Sequence, residues 1–189
     1  AEAGYELTKN ATIKNSINYH TFTTDESGKF APYALMEMKF SKQDIYFLLD
    51  DKFKLDELEK VLEVVSKSGY GKRASIGKGA FEYRAFEKVS VKKNSNAFMT
   101  LSPVVIDDEN LKEFYYEPFT RFGKHGGGLA STNPFKSPLL MADSGSVVIY
   151  DEICEKEYIG KAISGHSTNA NTVHQGYSIL IATEIKNAQ

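Results

Sequence analysis

The densest chemistry in the sequence lies in Gly69–Gly79, which reads GYGKRASIGKG. Glycines at 69, 71, 77 and 79 bracket Lys72, Arg73, Ser75 and Lys78. A glycine has no Cβ, so its backbone takes φ > 0 readily and comes close to another backbone. Exposed N–H groups in such a loop can cradle a phosphate. The lysines and arginine add charge, and the serine adds a small hydroxyl. From Lys67 to Lys93 there are eight Lys or Arg (67, 72, 73, 78, 84, 88, 92, 93) against two Glu (82, 87), in a chain of net charge -2. With Tyr70, Phe81 and Tyr83 interleaved, the stretch reads as a site for an RNA backbone. The plainer alternative is a hairpin carrying ordinary solvated lysines, and composition leaves both open. A nucleotide P-loop does not fit, because no G-x-x-x-x-G-K-[ST] follows a strand and opens a helix. A dinucleotide fingerprint fails too, since this loop follows a helix and precedes a strand.

Four histidines, His20, His125, His166 and His174, are the candidates for a general acid or base in RNA cleavage. His20 and His125 are the stronger pair: one precedes the Gly loop and the other stands beside glycines. The spacing of His166 and His174 suggests strand ends rather than a dyad. The competing role for each is a surface or hydrogen-bonded structural histidine. No H-x-x-x-H or C-x-x-C spacing points to a metal. The acidic clusters Asp107-Asp108-Glu109 and Asp151 to Glu157 lack an ordered ligand spacing, so they read as solvated loops or docking points for a basic subunit. No cofactor is implied.

The elements that must carry these residues are legible in part. Residues 54–67 form the clearest helix: Leu55, Leu58, Val61, Leu62 and Val65 make an apolar stripe, with Asp56, Glu57 and Glu59 at the amino end and Lys67 then Gly69 at the other. Thr21–Lys29 reads as a hairpin tip leading into a β-compatible stretch, 30–40. Residues 44–49 (DIYFLL) and 81–89 read as strands flanking the helix and loop. Strand, helix, Gly-rich turn and strand make up the second half of a ferredoxin-like β-α-β-β-α-β unit. Nothing before residue 30 resembles the helix its first half needs. The helix stripe is then expected to pack on a sheet containing Ile45 and Phe47. From Asn94 the pattern restarts, which suggests a domain boundary at 93/94. Beyond it, 97–106 (bent or at an edge because of Pro103), 113–122, 137–141, 146–150, 158–163 and 175–185 are extended candidates. The expected class is α+β, with a partial first module over 1–93 and a β-rich second module over 94–189.

A length of 189 residues allows one large domain or two of about 90 to 100 residues. Hydrophobic residues at 41% are enough for a core, with 12 Phe, 11 Tyr and no Trp. At net charge -2 and a pI near 6.1, a nucleic-acid binder has to concentrate its positive charge locally or share its site with partners. The single cysteine, Cys154, rules out an internal disulfide framework and fits a reducing compartment. No apolar run approaches the roughly 18 to 20 residues of a membrane span, and residues 1–12 do not read as a signal peptide. A cytoplasmic protein with no membrane partner is expected.

The glycine loop resembles that of the RAMP superfamily of CRISPR effector proteins, G-x-G-x-x-x-x-x-G-x-G. It is closest to the G-G-K-R-S-S-G-x-G loop of the fourth Csm-type subunit of type III-A complexes. Lys14-Asn15-Ser16-Ile17, with Thr23-Thr24 and Gly28-Lys29-Phe30, resembles that family's R-N-x-I-[DN]-R…T-G-T…G-x-L-F stretch. KHGGGLAST (124–132) is similar to its G-G-W-x-A-S-T segment, ADSGSV (142–147) to its E-x-G-S-V turn, and VHQGY (173–177) to its V-H-x-V-Y strand. These islands run in family order along nearly the whole chain. Lys14 and Asn18-Tyr19 replace arginines, Leu129 replaces an aromatic, and the family's amino-terminal strand and helix have no counterpart, which implies a fragment. The resemblance implies a ferredoxin-like (RRM-like) RAMP fold. It also implies a non-catalytic subunit that grips the 5′ handle of the guide RNA (crRNA), caps one end of the assembly in antiviral defence, and contacts the large signalling subunit and the first backbone subunit. On it, Gly69, Gly71, Lys72, Arg73, Ser75, Gly77, Lys78 and Gly79, with Lys14 and Asn15, would contact RNA. The 15–30 segment would belong to a thumb-like hairpin that wedges into the guide–target RNA duplex. The runner-up is a metal-independent, guide-processing endoribonuclease of the same superfamily, and a third reading is a single-stranded-RNA-binding module unrelated to CRISPR.

Overall fold

A computed structural model describes residues 7–24, 30–40, 42–71, 73–125, 129 and 133–185, without the side chains of Leu7 and Ser75. The chain divides into two compact units, Ala1–Phe47 and Leu48–Gln189. Asn94, where the sequence pattern restarts, therefore lies inside the second unit.

The first unit is built on an antiparallel ribbon of β1 (Leu7–Lys14) and β2 (Tyr33–Phe40), paired residue for residue from Leu7↔Phe40 to Lys14↔Tyr33. Its register sorts the side chains unusually. Ala34, Met36, Met38 and Phe40 alternate onto one face with Ala11 and Ile13, and most of this apolar set is exposed: Ile13 73%, Met36 65%, Phe40 51%. Leu35 on the opposite face is the buried one, and it sits opposite Thr12. Of the hairpin tip read at Thr21–Lys29, residues 25–29 lie outside the described set.

The second unit holds a five-stranded antiparallel sheet in the order β4-β7-β3-β9-β8, formed by β3 (Asn94–Thr100), β4 (Leu111–Tyr115), β7 (Val147–Glu155), β8 (Tyr158–Ile163) and β9 (His174–Ala182). A two-stranded sheet pairs β5 (Pro118–Arg121) with β6 (Leu139–Ala142). Pro118 has no N–H to donate, and it occupies the first position of its strand, where none is required. In β9, His174, Gly176, Ser178 and Leu180 are buried in strict alternation, the period of a strand with one covered face. In β3 the ladder slips between Ser95 and Ala97; Ala97 and Phe98 follow in continuous register, so they point to opposite faces of this central strand, and both are buried. β3 ends before Pro103. Val104 then makes a two-hydrogen-bond bridge to Ala142 and is fully buried. Phe98, Val104, Ala142, Val148, Tyr150, Ile159 and Leu180 form the core. Each large apolar member contributes about 1.5–3 kcal/mol relative to an exposed one.

At the rim of this core, Asp108 accepts hydrogen bonds from the Tyr150 hydroxyl (3.0 Å), the Lys156 ammonium and the Asn110 N–H (3.1 Å). Burial alone would raise the pKa of Asp108; those donors and the Lys156 charge overcome it and hold the carboxyl below its ordinary value. Burial, then the carboxylate, pushes the Tyr150 hydroxyl well up. Asp108→Asn is expected to cost about 1–3 kcal/mol at neutral pH. A carboxyl with a depressed folded pKa stabilises above its unfolded pKa and loses that contribution as pH falls through the folded one. The wild-type advantage in urea midpoint should therefore be full at pH 7 and shrink below about pH 4.

α1 (Leu55–Ser68) forms where the apolar stripe places it. Asp50 caps the approach by accepting the N–H groups of Lys52 (3.0 Å) and Phe53 (3.1 Å), and the Glu57 carboxylate accepts that of Lys54 (3.0 Å). The expected partners of the helix differ from those observed. Residues 44–49 and 81–89 join no sheet; Ile45 is 64% exposed, and Leu48 and Leu49 are also exposed. Apolar residues with strand propensity form a strand only where a ladder is available to them, and no sheet of the described residues extends to either segment. Along α1 only Leu58 and Ser66 are buried, Leu62 and Val65 are half-buried, and Leu55, Val61 and Val64 are exposed. What lies against the helix is the irregular stretch from Phe81 to Phe86. The fold is thus strand-rich α+β. Among the described residues no helix is long and apolar enough to cross a membrane.

Candidate nucleic-acid interface

The glycine loop starts where α1 ends. Gly69, at φ +90, donates its N–H to Val65 O (2.8 Å), and two bonds then close a neck: Tyr70 N–H to Gly79 O (2.9 Å) and Phe81 N–H to Ser66 O (3.1 Å). A Cβ at Gly69 would lie 2.3 Å from Lys78 O, and one at Gly79 would lie 2.1 Å from Tyr70 O. These two glycines are needed because the loop's own strands of backbone touch there. Gly71 and Gly77 differ: both have positive φ, but a Cβ on either would meet open space. The close approach inferred from the sequence is therefore internal at 69 and 79, while room for another molecule exists at 71 and 77.

Inside the loop, a 3₁₀ turn over Ala74–Ile76 uses much of the backbone's donor capacity. The N–H groups of Ala74, Ile76, Gly77 and Lys78 go to Gly71 O, Arg73 O, Ala74 O and Arg73 O. A cradle made of N–H groups is correspondingly reduced. The carboxyl end of α1 also carries the negative end of the helix dipole, which favours cations rather than anions. Any phosphate here must be held by side chains. Arg73 is half-buried, Lys78 is exposed, and Tyr70 projects with 79% of its surface exposed, an aromatic face beside the charges. Lys72 and the Ser75 side chain lie outside the described residues, as do 126–128 and 130–132 of the KHGGGLAST segment.

The local basicity counted from the sequence is partly neutralised. Lys67 pairs with Glu63 at 2.7 Å and Lys93 with Glu157. Each pair raises its lysine and, at Glu63, lowers the carboxyl, chiefly through the hydrogen bond. Tyr83, Arg84 and Phe86 face the acidic flank of α1 (Asp56, Glu59, Glu63) across a shallow groove. Of the basic residues in this stretch, Arg73 and Lys78 are the described ones that lie in the loop itself, while Lys88 and Lys92 are exposed further along the chain. Lys14, the last residue of β1, and Asn15 are exposed and belong to the first unit.

The acidic clusters are tied to cations: Lys161 to Asp107 (3.1 Å), Lys112 to Asp151 (3.2 Å) and Lys156 to Asp108. Among the described residues no group of three or more His, Cys, Asp or Glu is placed to hold a metal ion. His20 is exposed in the first unit, its backbone N–H donated to Asn18 Oδ1 (3.0 Å). The other three histidines gather in the second unit: His125 Nε2 lies 2.7 Å from Ser167 Oγ, and the rings of His166 and His174 are 6.0 Å apart. That convergence departs from the sequence reading, which set His125 beside His20 and treated His166 and His174 as separate strand ends. No known family model matches the chain, and no curated protein matches it.

Proposed function

We propose that this chain is a non-catalytic RNA-binding subunit of the RAMP superfamily, working in a type III CRISPR effector complex. In this reading it holds the 5′ handle of the guide RNA, meets target RNA, and docks on the large signalling subunit and the backbone subunits in the cytoplasm. Its α+β fold is then a ferredoxin-like RAMP fold whose first module is partial, with α1 and the glycine loop as its retained elements. The observation that carries the proposal is the loop itself: a glycine-closed neck that brings exposed Tyr70 and half-buried Arg73 into one short loop with Lys78, within islands of resemblance that run in family order.

Filter binding of handle RNA at several salt concentrations tests it. Changing Lys72 and Arg73 together to Ala should weaken binding and reduce the log–log salt slope by about 1.4, at about 0.7 per phosphate on a single strand. Arg73→Lys should be costly where Lys72→Arg is tolerated, because only a guanidinium forks onto one phosphate. Unchanged affinity and slope in a double variant with an unchanged melting temperature would remove the loop from the RNA site. Equal affinity for scrambled RNA would favour a general single-strand binder. The metal-independent endoribonuclease remains the second reading, favoured by the gathering of three histidines, and specific cleavage of repeat RNA in chelator would establish it.

A further inference from the structure

Separate stretches of the second unit bring basic side chains to one place. Arg121 ends β5, His125 and Lys136 flank the Lys124–Phe135 bridge, His166 lies between β8 and β9, and His174 opens β9. Backbone bonds fix these stretches: Lys136 N–H to Gly123 O (3.0 Å), His125 N–H to Pro134 O (2.7 Å) and Ser137 N–H to His166 O (2.9 Å). Gly123 makes room for the cluster, since a Cβ there would lie 2.9 Å from His174 Cε1 and 3.1 Å from Lys136 Cδ. The His166 and His174 rings meet edge to face, and the Arg121 guanidinium reaches Gln175 O at 3.4 Å.

Two ring nitrogens in this cluster, His166 Nδ1 and His174 Nε2, are buried and have no hydrogen-bond partner among the described residues. His174 is only 5% exposed. A buried polar atom left without a partner costs about 1–3 kcal/mol, so two within one cluster call for a missing partner. The charges show what kind. Burial lowers the pKa of His174 most; Lys136, His166, Arg121 and His125 then lower it further, and no carboxylate appears among the groups acting on it. The missing partner is negative and rich in acceptor oxygens.

We propose that Arg121, His125, Lys136, His166 and His174 form a binding site for a phosphate group. Two fixed cations would repel a metal ion, whereas a tetrahedral oxyanion can accept from imidazole, ammonium and guanidinium donors arriving from different directions. Arg121, His125, Lys136 and His166 are each part-exposed. The ligand enters from their side, displaces Ser167 from His125 Nε2, and supplies the acceptors the buried imidazoles lack. Its charge raises the proton affinity of His174, which burial and the neighbouring cations lower in its absence, so binding takes up a proton and tightens as pH falls. The site shares no residue with the glycine loop and does not depend on the RNA reading.

Histidine ring signals followed by NMR during titration test this. Sodium phosphate should move the signals of His125, His166 and His174 but not of His20, and sodium chloride at equal ionic strength should not. The dissociation constant should fall about tenfold per pH unit between pH 7.5 and 6.5 for each proton taken up. Lys136→Ala, at a part-exposed position, should weaken binding about tenfold or more at an unchanged melting temperature. An oligoribonucleotide added to the Lys72/Arg73 double-Ala variant identifies the source: matching shifts assign the site to an RNA phosphodiester, and shifts with inorganic phosphate alone assign it to a free phosphate. If neither ligand moves these signals, or chloride moves them equally, the site is overturned.

Discussion

Gly79→Val is expected to open the neck of the glycine loop and to reduce RNA affinity by more than tenfold. Residue 79 has φ +80, a region where an L side chain costs about 1–2 kcal/mol, and a Cβ there would lie 2.1 Å from the Tyr70 carbonyl oxygen. That oxygen is backbone and cannot swing aside as a side chain would. The clash can be relieved only by separating the two arms of the loop, which breaks the Tyr70 N–H bond to Gly79 O. Arg73, Lys78 and Tyr70 then lose their common placement, although no charge has been removed. The salt slope should therefore stay near the wild-type value while affinity falls, the opposite signature to the double-Ala variant. Hydrogen exchange at the Tyr70 amide should accelerate, and unfolding of the five-stranded sheet, which does not include the loop, should be unaffected. Gly71→Ala is the control, with positive φ but open space around the new Cβ, and it should cost far less. A Gly79→Val protein with slow Tyr70 exchange and undiminished affinity would show that the neck does not matter.

The largest loss of stability is expected at Phe98, fully buried in the central strand of the five-stranded sheet with its ring 6.1 Å from that of Tyr150 in an edge-to-face arrangement. Phe98→Ala removes a ring between strands held on both sides, β7 through Phe98↔Val148 and β9 through Phe98↔Ala182. Strands so held cannot collapse into the space, so the cost should reach about 3–5 kcal/mol. Urea denaturation of the β-rich unit should show a lowered midpoint at an unchanged slope. A loss below about 1 kcal/mol would mean that the site relaxes freely and that Phe98 does not anchor the core.

The strands of the second unit were largely legible in the sequence because their alternation is local. Tyr158–Ile163 forms as read, and β9 begins one residue before its expected span and ends three residues short of it. The helix was legible for the same reason, with a stripe, acids in the first turn and a glycine stop all inside one window. What failed depended on partners. DIYFLL has the composition of a buried strand, but composition does not reveal whether a ladder lies beside it, and none does here. β1 was missed because LTKNATIK places Lys9 and Ala11 where a strand's apolar face was expected, and only its pairing with β2 makes it extended. At the site, the glycine spacing announced a tight loop, but only the structure distinguishes the glycines that close it from those that face open space. The histidine cluster left no mark in sequence spacing, since 125, 166 and 174 are joined by loop and strand pairing rather than by any short period. Its one local mark is Gly123, whose meaning shows only against the His174 and Lys136 side chains beside it.

The stretch Ile45–Leu49 also has a consequence for how the chain survives intact. It contains Ile, Tyr, Phe and two Leu in succession, takes no place in a sheet, is exposed at every one of these positions, and spans the division between Phe47 and Leu48. Proteases engage accessible irregular backbone, and those of chymotryptic specificity cut after large apolar side chains, so this stretch is where a single nick would part the chain. The nick would leave the β1–β2 ribbon on one product. The loop, the histidine cluster and the five-stranded sheet would all remain on the other.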